Sequence, residues 1–399
     1  MENSEKRPVL KLRPKKAPQR FRFGAPWVFS DEVVLDRRTK ALKAGTIVEV
    51  QDENRVAFAV AAFNPTSKIV GRILDLDTSA IIDTSWLKTR LERCLSLRDR
   101  LYAEPFYRLV HAEADGLPGV IVDRFGDVLV LQPNAAWADV MCDQITSVLV
   151  ELTGAKAVYK SASGRARSLD GLDDNSSFVH GTASGAIPVQ MNGATYMADI
   201  EGGQKTGLFF DQRENHAFAA KLAKGGTVLD VFSHVGGFGL VALAGGATEA
   251  LCIDASDGAL ELAQAGAKAS GFSANLNVNR ADAFKSMREM EEEGRTFDLV
   301  VCDPPAFAPN KAAAEAGRRG YERVAIHGAK LVEKGGYLVL CSCSHAVDLA
   351  AFREVCIRGI GRAGRRGQLI HTGTAGPDHP EHLQLAETSY LKALFFRLD

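Results

Sequence analysis

The sequence predicts a multidomain α/β chain: a small N-terminal β-barrel, a central α+β region, and a C-terminal domain whose parallel sheet carries helices on both faces. Three observations predict this. To about residue 75 the chain alternates in short runs between turn signals. From about Gly203 strand-like and helix-like stretches take turns. Acidic residues and glycines then recur where those later strands end. The expected divisions are 1–78, 79–201 and 202–399.

In the first region "TIVEV" (46–50), "RVAFAVAAF" (55–63) and "SKIVGRIL" (67–74) are separated by "DEN" and "NPTS", as in a small barrel. A helix is expected from Thr84 to about Tyr102, with Leu87, Leu91, Cys94, Leu95 and Leu101 at helical spacing and Asp83 as N-cap. The middle region adds "FYRLVHA", "GVIVDRF" and "DVLVLQP" as strands and a helix over 136–152. It closes with "VQMNGATYMADI", a hairpin turning at Asn192-Gly193. The last region offers strands at 227–232, 250–255, 276–282, 297–303 and 336–342, then "GQLIHTG" and "YLKALFFRL" as an antiparallel edge.

Bulk properties narrow the class. At 399 residues, with 46% hydrophobic and 24% charged residues, the chain has material for two or three ordinary cores. The net charge is 48 − 49 = −1, so the molecule is not a polycation. Lys6 to Arg22 nevertheless holds eight basic residues in 17 and no acidic one, which reads as a solvated arm or a phosphate contact. "RGIGRAGRRG" (358–367) offers a second basic stretch. No apolar run approaches the roughly 20 residues of a membrane span, and no signal-peptide core is visible. Seven dispersed cysteines suit a reducing cytoplasm. Neither their spacing nor His345 makes a zinc site, so no metal is expected.

The strand tips carry the chemistry. "LDVFSHVGGFG" runs from a strand through Asp230 into a glycine turn and a helix; 237–242 also satisfies a loose GxGxxG/A pattern, which keeps a nicotinamide-dependent oxidoreductase open. Asp254 ends the next strand, where a carboxylate can hold ribose hydroxyls. Asp282-Ala283-Phe284 follows the third, with a carboxylate able to accept from an adenine amino group beside a ring that can flank the base. Singly, each is as well read as a helix cap or a core residue. Together they outline an adenosine-shaped site, with Asp230 near the ligand's tail. In "VVCDPPAFAPNK" two prolines fix a rigid turn that presents Asp303 to a flat polar group, or simply end a strand. "YLVLCSCSHAV" (337–347) sets Cys341 and Cys343 one residue apart, on one side of a strand tip.

These tips resemble a class I, Rossmann-like S-adenosylmethionine (SAM)-dependent methyltransferase. "GGQKTGLFFDQREN" (202–215), "VHAEADGLPGVIVDRFGD" (110–127) and "DHPEHLQLAETSYLKAL" (378–394) are similar to bacterial PUA-domain-containing 23S rRNA cytosine-C5 methyltransferases. "GAPWVFSDEV" (24–33) and "AAFNPTSKIVGRIL" (61–74) resemble the PUA segment of that family. The resemblance implies a PUA-like RNA-binding barrel, a SAM cofactor and a ribosomal RNA partner. It places Lys205, Phe210, Gln212 and Arg213 beside the cofactor with Asp230, Phe232, Gly236, Gly237, Asp254, Asp282, Ala283 and Asp303. It also implies Cys343 as nucleophile at carbon 6 of cytosine, with Ser342 where a threonine is usual. His345 stands where that family has a glycine.

Carbon 5 of cytosine is too weak a nucleophile to take a methyl group directly, and thiolate addition at carbon 6 makes it enamine-like. Asp303 is the expected partner of N3 and of the exocyclic amine, with Pro304, Pro305 and Phe307 against the base. Cys341 is expected deeper in the strand as a small hydrophobe. The alternatives are transfer to a purine nitrogen at Asp-Pro-Pro, which needs no cysteine, and a non-catalytic RNA-binding assembly factor.

Overall fold

The structure is a computed structural model that describes residues 7–14, 16, 18–202 and 207–399. The chain forms two compact units, 1–184 with 380–386, and 185–379 with 387–399.

The first unit holds two sheets. Six strands pair in the order Trp27–Phe29, Ile69–Asp75, Ala57–Phe63, Thr46–Gln51, Val9–Leu12, Val33–Val34. Their inward residues, among them Leu10, Leu12, Val28, Val48, Val50, Phe58 and Val70, make one core. The basic N-terminal stretch is therefore partly structural. Val9–Leu12 lies parallel to Thr46–Gln51, and Arg7 and Arg13 donate to the carbonyls of Thr78 and Val33 at 2.9 and 2.8 Å. Lys6, Lys15 and Ala17 of that stretch lie outside the described residues.

The second sheet has five strands, including Phe106–His111, Val120–Phe125 and Val128–Pro133. Helix Thr84–Leu101 begins as its N-cap predicts: the Asp83 carboxylate accepts from the Trp86 N–H at 2.9 Å. Leu87, Leu91 and Cys94 face the core, whereas Leu101 is exposed. Arg98 on the same helix is wholly buried and pairs in bidentate fashion with Asp115 at 2.8 Å. The helix expected over 136–152 is two helices, Ala136–Val140 and Cys142–Thr153, because Met141 turns out of helical geometry (ψ 17°).

In the second unit the hairpin Ile187–Met191/Ala194–Ala198 turns at Asn192 (φ 53°) and Gly193 (φ 81°), both left-handed as a tight hairpin requires. It packs against helix Asp257–Ser270, where Gly266 lets the Thr195 carbonyl approach to 2.8 Å from the position a Cβ would take. The hairpin thus belongs with the sheet that follows it.

That sheet has seven strands: β1 Thr227–Val231, β2 Glu249–Asp254, β3 Leu276–Arg280, β4 Phe297–Cys302, β5 Val332–Ser342, β6 Gly367–Gly373 and β7 Lys392–Leu398. Their order is β3-β2-β1-β4-β5-β7-β6, with β1 to β5 parallel and β7 antiparallel to both neighbours. The helices are α1 Arg213–Leu222, α2 Gly237–Ala244, α3 Asp257–Ser270, α4 Ala283–Glu292, α5 Ala314–Lys330 and α6 Leu349–Arg362. β1 and β4 are adjacent although far apart in sequence. The order reverses there, so a crevice opens at the carboxyl ends of the strands.

The second basic stretch also has internal partners. Of the basic stretch 358–367, Arg358 is bidentate to Glu322 (3.0 and 2.8 Å) and Arg362 pairs with the same carboxylate. Arg365 donates to the carbonyls of Ala329, Val332 and Asp399. These guanidinium groups tie α6 to α5 and to the sheet's far end, while the Arg358 and Arg362 side chains stay exposed to solvent. Among the described residues no helix is long and apolar enough to cross a membrane.

Candidate active site

The turn after β1 is strained. Phe232 (φ 64°) and His234 (φ 49°) adopt left-handed angles that side chains disfavour at about 1–3 kcal/mol each. Gly236 (φ 79°) completes the bend, and Gly239 is needed for space, since a Cβ there would lie 2.5 Å from Cys252 Sγ. Asp230, 1% exposed, accepts from the Gly239 N–H at 2.8 Å and so ties the strand tip to α2. Burial pushes its carboxyl up to about 7, with Asp254 adding to the rise.

The neighbouring tips are built from carboxylates with backbone duties. Asp254 accepts from the N–H groups of His234 and Ser256, both at 2.9 Å, joining the glycine turn to β2. Asp282 caps α4 through the Lys285 N–H at 2.9 Å. Asp303 follows β4 and accepts from Gln212 Nε2 at 2.9 Å; Gln212 Oε1 accepts in turn from Asn215 Nδ2 at 2.7 Å. That relay reaches the Thr374 carbonyl through Asn215, at 3.2 Å.

At the β5 tip the two cysteines part. Cys341 is 1% exposed, and its thiol is pushed well above its usual range by burial first and Asp303 second. Cys343 is half-buried and opens onto the crevice; the other six cysteines are all buried. Its loop is pinned through Ser344, whose hydroxyl accepts from the Ala308 N–H at 3.0 Å and meets Tyr321 Oη at 2.7 Å.

One cavity of about 990 Å³ gathers these groups. It is lined by Gln212, Asp230, Phe232, Gly237, Asp254, Asp282, Ala283, Asp303, Pro304, Pro305 and Cys343 from the residues singled out by sequence. Phe210, Arg213, Gly236 and Phe307 do not line it. Phe210 is core, 1% exposed, with Arg213 over its ring at 5.8 Å. Gly236 faces Ala263 and Leu240. Phe307 packs 5.0 Å from the Tyr321 ring, against the face left open by Gly320, and so sits behind the Pro-Pro turn. Lys205 lies outside the described residues.

Sequence reasoning missed Phe209, Asp211, His216, Ser233 and His234, which also line the cavity. Phe209, not its neighbour, faces inward, its ring 5.1 Å from that of His234. His216 sits one helical turn beyond Gln212, a spacing that could have revealed it. Three buried atoms here, Asp211 Oδ1, His216 Nδ1 and Asp230 Oδ1, have no hydrogen-bond partner among the described residues. Burial holds His216 neutral by pulling it down to about 3. Two carboxylate oxygens and an imidazole nitrogen left unpartnered on residues that line one cavity suit a ligand bearing both a donor and an acceptor.

The comparisons with known proteins agree with this geometry. A family model described as S-adenosylmethionine-dependent methyltransferase matches residues 126–397, and one for a PUA-like domain matches 10–76. The ribosomal RNA large subunit methyltransferase I of Tolumonas auensis is 34% identical over 378 residues, 93% of this chain and 95% of that protein. The protein of the same name from Shewanella amazonensis is 35% identical over 379 residues, 94% and 95% of the two chains. Among solved structures, SMU.776, a methyltransferase by assignment and complexed with SAH, superposes with a TM-score of 0.81 at 18% identity, over 98% of this chain and 100% of that one. The chain therefore belongs to the SAM-dependent methyltransferase family, with a PUA-like domain ahead of the catalytic fold.

Proposed function

We propose that the protein methylates large-subunit (23S) ribosomal RNA at carbon 5 of a cytosine, through a thiolate adduct of Cys343. The observation that carries this reading is that Cys343 and Asp303 line the same cavity as Asp254 and Asp282. The relatives named for large-subunit ribosomal RNA supply the substrate class.

The cavity's donor set fits the cofactor. Asp254 holds the ribose hydroxyls and Asp282 with Ala283 the adenine edge. The unpartnered Asp211 and Asp230 oxygens suit an ammonium group, and His216 Nδ1 suits a carboxylate. When bound, SAM supplies an electrophilic methyl group. The protein's residues prepare the base to take it. Cys343 Sγ bonds to C6, the C5=C6 electron pair moves toward N3, and Asp303 delivers a proton there while accepting from the exocyclic amine. Gln212 and Asn215 fix the orientation of the Asp303 carboxyl. After C5 is methylated, its proton passes to water, the C5–H electron pair reforms the C5=C6 bond and expels the Cys343 thiolate, and N3 returns its proton to Asp303. Pro304 and Pro305 hold the wall against which the base lies.

The target must leave its stack to reach this cavity. Residues 1–78 serve RNA binding in this reading, supported by the PUA-like match and by exposed Phe23 beside Arg22. The test is methyl transfer to deproteinised ribosomal RNA by Cys343→Ala and Cys341→Ala, with nucleoside mass mapping. Loss in the first and retention in the second is expected. An active Cys343→Ala enzyme making a methylated purine would establish nitrogen transfer at Asp-Pro-Pro instead. No transfer by the wild-type protein would leave only an RNA-binding assembly factor.

A further inference from the structure

β7 carries a buried cation that none of the steps above uses. Lys392 lies opposite Ser342 in the antiparallel register and is 4% exposed. Its Nζ donates to the carbonyls of Ser344 and Val347, both at 2.7 Å. Those carbonyls bracket the loop that starts at Cys343. A buried ammonium held by neutral carbonyls keeps part of its desolvation cost, and a nearby anion would offset the rest.

We propose that Lys392 is a positioning residue for methyl transfer: its ammonium fixes the 344–347 loop and favours the thiolate form of Cys343. This rests on Cys343 being the nucleophile. The thiol's proton leaves to water and Lys392 keeps its own. The electrostatics run the same way: burial pulls Lys392 down to about 8, while Cys343 and then Asp348 draw it back toward the charged form. Among the described residues, the titratable groups that face the thiol or Lys392 include the Tyr321 hydroxyl from α5, Asp303 across the shared cavity at the β4 tip, and Asp348 at the N-cap of α6, which faces Lys392. His345 on the loop is exposed. Among these named groups Lys392 is the cation, and so the one whose charge supports a thiolate.

The experiment is alkylation of the full chain by iodoacetamide as a function of pH, read at Cys343 by peptide mass spectrometry. The burial of the other six cysteines makes this readout selective. Lys392→Met should move the midpoint up by about one pH unit, slowing alkylation at pH 7 about tenfold. Lys392→Arg keeps the charge and should stay within about twofold of wild type. Ser344→Ala breaks the neutral tie to Tyr321 and Ala308 and should leave the midpoint in place. Superimposable wild-type and Lys392→Met profiles would overturn the proposal, as would an equal shift in Ser344→Ala. Should Lys392→Met not fold, the wild-type midpoint decides: below the free-thiol value of about 8.5 supports the proposal, at or above it refutes it. Alkylation needs neither RNA nor methyl transfer, so an active Cys343→Ala enzyme would sink the adduct chemistry without touching this readout.

Discussion

Gln212 separates two accounts of the site. By resemblance it sits beside the cofactor; by geometry its amide also grips Asp303 and is itself held by Asn215. Gln212→Leu keeps the approximate volume and removes both interactions. At 4% exposure, water is poorly placed to replace the lost donor. A hydrogen bond to a charged group contributes about 1.5–3 kcal/mol, and each 1.36 kcal/mol is tenfold in rate, so kcat should fall about ten- to 150-fold. The assay is single-turnover methyl transfer to ribosomal RNA at saturating SAM, with SAM affinity measured separately by calorimetry. The loss should appear in the single-turnover rate, with SAM affinity changed by less than about threefold. A weakened SAM affinity that accounts for the whole effect, with an unchanged rate at saturation, would show that the relay to Asp303 carries no catalytic weight.

Two further outcomes follow from buried charge. Asp230 has its folded pKa raised to about 7, so the folded state binds more protons than the unfolded one above the ordinary value of 3.8, and its contribution to stability is lost as pH rises toward 7. His216 acts oppositely: lowered to about 3, it removes stability as pH falls below 6.5. Asp230→Asn deletes only the first effect, so the variant's cofactor-free stability relative to wild type should climb by about 1.4 kcal/mol per pH unit between pH 4 and 7 in chemical denaturation; a flat difference contradicts the burial argument. Arg98→Met leaves the Asp115 carboxylate buried without its bidentate partner, and the first unit should lose about 3–5 kcal/mol in denaturant titration. SAM binding should be unchanged, because every residue lining the cavity belongs to the second unit; a loss below about 1 kcal/mol contradicts the assignment.

Much of the fold was readable because its elements obey local rules. Val/Leu runs followed by an acid mark the parallel strands, Asp83 starts its helix, and Asn192-Gly193 turns its hairpin. The acids at successive tips were readable as a set because a parallel sheet delivers them to one edge. What sequence could not show depends on neighbours distant along the chain. Whether Phe209 or Phe210 faces the ligand is decided by the entry into α1, and Phe307 was claimed by Tyr321 and the space at Gly320. That Arg358 and Arg362 share Glu322, 36 residues from Arg358, could not be read either. Val9–Leu12 hides as a strand among basic residues and prolines because its partners begin more than 20 residues later. Lys392 gave no signal at all: only the β5–β7 register sets it under the Cys343 loop.

Covalent trapping tests the central chemistry most directly. A fluorine at carbon 5 cannot leave as a proton does, so ribosomal RNA carrying 5-fluorocytidine should stall after methylation with the enzyme still attached. Peptide mass spectrometry of the trapped complex should place one pyrimidine on Cys343, and only when SAM is present. Attachment at Cys341, or full methylation of unmodified RNA with no trapped species from its fluorinated counterpart, would contradict the mechanism.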